Sequence, residues 1–174
     1  MTTEATPKSE MDLAAEDLFG FAIDREDVKW LLARLPKEAG VKPTAVEYEL
    51  QLLKIITVGW GITFYLENSP RKQPLAERFW ASVHEFSRNL STTTELMIGQ
   101  DIDYFMTLRE RLDTYVAALE GAGDTGEEPA QRIGPTFAHL CGDREDLFAF
   151  MTGSRMFKDT IARVKAYLSA LKWC

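Results

Sequence analysis

Apolar residues fill nearly every position from Leu50 to Leu66, LQLLKIITVGWGITFYL, with one charge, Lys54, in seventeen residues. A helix without a polar face must be covered all round, so the pattern predicts a central, buried helix. Thr44 and Glu47 have capping-box spacing at its start, and Ser69 and Pro70 break the chain after about Asn68. The same stretch is rich in β-branched and aromatic residues that suit a buried strand. No other segment alternates with a two-residue period long enough to pair with it. A membrane span needs about twenty uninterrupted apolar residues, and Glu47, Glu49 and Lys54 leave this run too short.

Elsewhere the apolar positions recur at three and four residues, the spacing of an amphipathic helix. Leu75, Phe79, Val83, Phe86 and Leu90 form one stripe, opposed by Glu77, Arg78, Glu85 and Arg88; Ile102, Phe105, Leu108, Leu112, Val116 and Leu119 form another, with Asp101 as a cap. Shorter helices are expected from about Glu10 to Phe21, from Asp24 to Pro36, from Ala130 to Leu140 and from Asp143 to about Met151. The DRED tetrapeptides at 24–27 and 143–146 read as two similar helix starts. GAGDTGEEP, residues 121–129, is the clearest loop. Gly153 and Ser154 then lead into a last helix, where Phe157, Ile161, Val164, Leu168 and Leu171 have the spacing of a coiled-coil seam. Two heptads do not stand alone, so this face packs on the domain or on a second copy, and its residues are the candidate interface. The whole reads as an all-α, single-domain bundle of about seven helices spanning 10–174, after a disordered tail of residues 1–9.

Composition narrows the function classes more than it selects one. At 45% hydrophobic and 27% charged over 174 residues the chain has an ordinary globular balance. A net charge of −7 argues against broad nucleic-acid affinity. The charge is uneven: residues 154–174 carry five basic groups against Asp159, and the remaining chain is correspondingly more acidic. That leaves phosphate or nucleic-acid contact through Lys158, Lys165 and Lys172 as a minor alternative. The first residues lack the basic start and apolar stretch of a secretory signal; a cytoplasmic protein is expected. Cys141 and Cys174 are too few for a disulfide framework and too isolated for a zinc site.

The least ordinary segment is STTTELMIGQDIDY, residues 91–104, with many short polar side chains between two amphipathic helices. Its hydroxyls and carboxylates suit helix caps, with Gly99 relaxing the turn. They also suit a small-ligand pocket lined by Thr92, Thr93, Thr94, Gln100, Asp101 and Asp103, since hydroxyl and amide groups both donate and accept. Glu95, Asp101 and Asp103 are oxygen donors for a hard cation, yet residues two apart on a helix point in different directions, so no metal site is assigned. His84 sits at the edge of its helix's apolar stripe, and His139 and Cys141 are too close in sequence to meet as a nucleophilic pair. No phosphate-cradling glycine loop, strained serine elbow or paired CxxC is present, and no cofactor is called for. The expectation is a non-catalytic protein that acts through self-association, as a homodimer, or through a protein partner. The alternative is a small-molecule-binding protein or a carboxylate- or metal-dependent enzyme with its pocket at 91–104.

Overall fold

In a computed structural model, which describes residues 7–99, 102–122 and 126–173, every regular element is an α-helix. Among the described residues these are α1 (Glu10–Ile23), α2 (Glu26–Leu32), α3 (Pro43–Tyr65), α4 (Lys72–Ile98), α5 (Tyr104–Ala122), α6 (Pro129–Leu140) and α7 (Leu147–Ala170). None is long and apolar enough to cross a membrane.

The run without a polar face is α3, and α1, α2, α4, α5 and α7 all pack against it. Leu50, Leu52, Leu53, Ile55, Val58 and Ile62 are fully buried on its several sides. The capping box does not form. Lys42 is the N-cap and makes no side-chain bond, Pro43 fills the first turn, where its missing N–H has no intrahelical partner to lose, and Glu47 pairs with Arg25 instead. The interruption in the apolar run, Lys54, is wholly buried. Its ammonium donates to the Asp24 carbonyl at 2.8 Å, pairs with Asp27 at 3.1 Å and lies 4.5 Å from the centre of the Phe21 ring.

Two glycines in α3 answer to packing. A Cβ on Gly59 would lie 2.2 Å from the Trp80 ring of α4, and one on Gly61 would lie 2.9 Å from Val164 of α7. Each therefore admits a neighbouring helix to a distance that alanine forbids, which offsets the glycine's helix cost of about 1 kcal/mol.

Two expected breaks are absent. The hydroxyl run lies inside α4: Ser91, Thr93 and Thr94 donate to the carbonyls four residues back at 2.8–2.9 Å, and the helix ends only at Gly99, with φ 66°. Gly153 does not separate two helices either. It sits within α7, where the Phe137 ring of α6 occupies the space of a Cβ at 2.5 Å. Asp146, rather than Asp143, caps α7 by accepting from the Ala149 N–H at 2.8 Å. Its other oxygen accepts from the Gly40 N–H at 2.6 Å, tying the loop after α2 to the start of α7. Both DRED segments do share a local turn, with Asp24 accepting from the Glu26 N–H and Asp143 from the Glu145 N–H.

The α7 seam is consumed inside the chain. Phe157, Val164 and Leu168 are at most 5% exposed, Ile161 and Leu171 are half-buried against the same core, and the helix packs chiefly on α6 and α3. Of the two covers the spacing allowed, the domain or a second copy, the domain is the one used, through α3 and α6. At the other end, Ser9 caps α1 in a capping box with Asp12 and Lys8 pairs with Glu16, so residues 8 and 9 are tied to α1. Residues 1–6 lie outside the described residues.

Candidate functional site

The segment expected to form a pocket contributes mostly to its own helices. Of the six candidate residues, Gln100 and Asp101 lie outside the described residues. Thr93 and Thr94 bond to α4's own carbonyls. Asp103 accepts from the Met106 N–H at 2.9 Å, as a cap for α5, and Ser91 accepts from the Tyr104 N–H at 3.1 Å. Thr92 and Asp103 do line one open hollow, of about 390 Å³, with His84, Arg88 and Glu95. His84 meets the Phe105 ring edge-on at 4.7 Å, which gives this boundary histidine an apolar neighbour across the helix pair. No group of three or more His, Cys, Asp or Glu among the described residues is placed to hold a metal.

The interior polar groups centre on one buried ion pair. Glu49, buried on α3, takes a bidentate contact from Arg111 of α5, with nitrogens at 2.8–3.1 Å. This fork-to-fork hydrogen bonding holds the guanidinium above its ordinary pKa. Beside it, burial raises Tyr115 well above the usual phenol range, with Glu49 adding to the effect, and the Tyr115 hydroxyl has no hydrogen-bond partner among the described residues. Burial, with the Glu49 and Asp146 charges, pushes the Cys141 thiol up to about 12. A thiol so raised is a poor nucleophile near neutrality. His139 is exposed while Cys141 is buried, so the two do not form a catalytic pair.

Among the described residues, one cluster of exposed large apolar side chains lies at the start of α7. Successive helical residues turn by about 100°, so Phe148, Met151, Arg155, Asp159, Ala162 and Ala166 fall on one stripe, opposite the buried seam. Leu147 is 63% exposed, Phe148 44% and Met151 58%; Ala162 and Ala166 are also exposed. The stripe borders a groove of about 580 Å³ between α2 and α7. There Trp30, itself 40% exposed, carries the Arg34 guanidinium 3.4 Å from its ring centre and that of Arg155 at 4.5 Å. The groove's carboxylates are engaged: Asp27 by Lys54 and Arg163, Glu26 by Lys29 and Asp159 by Arg155. The other exposed apolar side chains are spread over separate helices, as Leu13, Phe64 and Met106 are, or adjoin residues outside the described ones, as Leu96 and Met97 do.

No family model, curated protein or solved structure matches the chain. The outer face of α7 was missed in the sequence because its residues are split between the two helices expected there. Read as one continuous helix, 147–170 shows two opposite faces, and the large apolar residues on the second are confined to its first turns.

Proposed function

We propose that this protein is non-catalytic and works by binding a protein chain through the outer face of α7. The observation that carries the reading is the exposure of Leu147, Phe148 and Met151, 63%, 44% and 58%, on neighbouring turns of one well-capped helix. Large apolar side chains clustered in water mark interaction sites. Arg155, one turn on from Met151, and Trp30, over which its guanidinium lies, are residue types enriched where such contacts carry most of their energy.

The test is a comparison of the intact chain with a Phe148→Glu/Met151→Glu variant, each purified under native conditions after cross-linking in the cells that make it. A stoichiometric associate, whether a second copy or another chain, is expected with the unaltered protein and lost from the variant. Circular dichroism should be unchanged, because both side chains face water. An unaltered protein that emerges alone, or a variant that keeps its associate, would contradict the proposal.

A further inference from the structure

We infer that the occupant of the α7 face is a second copy of this chain, related by a two-fold axis that crosses the helix beside residue 157 and runs the two α7 helices antiparallel. The inference rests on the reading of α7 as a protein-binding face and goes beyond it by naming the partner and the register.

The stripe matches itself in size and in charge when reversed. Its first half carries Phe148 and Met151, 44% and 58% exposed, its second half carries the exposed alanines Ala162 and Ala166, and Arg155 and Asp159 lie between. Antiparallel pairing about residue 157 sets Phe148 opposite Ala166 of the second copy and Arg155 opposite Asp159, and brings Met151 to within one residue of the level of Ala162, each contact occurring twice. Large side chains then meet small ones, as helix packing requires, and the axis is flanked by two reciprocal ion pairs. A two-fold interface has to be self-complementary in this way.

Within one chain Arg155 and Asp159 lie 3.4 Å apart and both are more than half exposed. An exposed pair of this kind contributes little to the fold, so re-pairing across the axis costs little there, although the Arg155 guanidinium, 4.5 Å from the Trp30 ring centre, has to swing off that ring to do so. Of the other charges near that axis, Lys158 has Glu128 at 3.8 Å to offset its repulsion from its own copy, and in the groove beside Arg155 and Asp159 Lys29 is paired with Glu26 and Arg163 with Asp27. The buried seam on the opposite side of α7 leaves the helix fixed on the body of the protein, so the outer face is presented rigidly.

Sedimentation of the purified chain over a concentration series tests this, with Arg155→Asp and Asp159→Arg made separately. Each substitution puts like charges opposite each other at the axis. The unaltered chain is expected to dimerise, and each variant alone to associate more than about tenfold more weakly. An equimolar mixture of the two variants should dimerise again, because Asp at 155 of one then faces Arg at 159 of the other, and Arg155 faces Asp159. A monomer at every concentration, or variants that dimerise like the unaltered chain, would overturn the inference. So would a mixture that associates no better than its components. If the unaltered chain is monomeric while Phe148→Glu/Met151→Glu still costs it a different associate, the second copy is excluded and the protein-binding reading stands.

Discussion

Lys54 shows how much a single residue's partners matter. In the sequence it is the one charge in an apolar run, and its position alone marks it as unusual. Its answers lie some thirty residues away, in the Asp24 carbonyl, the Asp27 carboxylate and the Phe21 ring, and no local pattern points to them. Breaking a buried pair from one side strands a charge, whereas replacing the charge by an apolar chain of similar length does not. Asp27→Asn is therefore expected to cost about 3 kcal/mol, because the Lys54 ammonium stays buried without its counter-ion. Lys54→Met should cost less, about 1 kcal/mol, since Asp27 keeps Arg163 at 3.2 Å. Urea unfolding of the two variants checks the order, and equal losses would contradict it. Tyr115 is the opposite case, a buried hydroxyl with no partner among the described residues. Tyr115→Phe removes an unmet polar group and should leave stability equal or raised by about 1 kcal/mol; a loss of that size in the same assay would mean that the hydroxyl is satisfied.

At the level of elements, the helices and their buried faces were legible, because the three-and-four spacing of apolar residues is set by the helix itself. The Leu75–Leu90 stripe and the α7 seam both pack inward as their spacing implies. Continuity was harder to read. The hydroxyl run in α4 resembles a cap, but a hydroxyl can also bond the carbonyl one turn back, and Gly153 resembles a break until Phe137 is seen filling its missing Cβ. Glycine as a contact rather than a stop is a tertiary fact. Gly59 makes the sharpest test. Alanine there gains about 1 kcal/mol in helix propensity but drives a methyl into the Trp80 ring, and overpacking of this kind costs about 1–3 kcal/mol. Gly59→Ala should lower the melting temperature, and Gly59→Ala/Trp80→Leu should melt above Trp80→Leu alone, where the ring no longer blocks the methyl. A single substitution that stabilises the protein would contradict the packing.

For the whole molecule, the burial of weak acids predicts a loss of stability at alkaline pH. Cys141 is pushed from 9.0 to about 12 by burial, and Tyr104 and Tyr115 are raised by the same cause. In each, the unfolded chain loses its proton at a lower pH than the folded one, so stability is complete below about pH 9 and falls as pH rises above it. The urea midpoint should drop between pH 9 and 11, and less steeply in Cys141→Ala; a midpoint that rises over that interval would contradict the burial of these groups. The candidate function was less legible than the fold. A helix in isolation shows which face is apolar, but not which face its own neighbours will cover, so the seam stood out and the outer stripe did not. The α7 face can be tested against an internal control, because Met151 and Met106 are almost equally exposed, at 58% and 57%, and only Met151 lies on the stripe. Oxidation of the two by dilute peroxide, read by mass spectrometry on the purified chain at low and at high concentration, is the most direct measurement. The account predicts equal oxidation when dilute and protection of Met151 alone when concentrated. Equal oxidation of both at every concentration would contradict it.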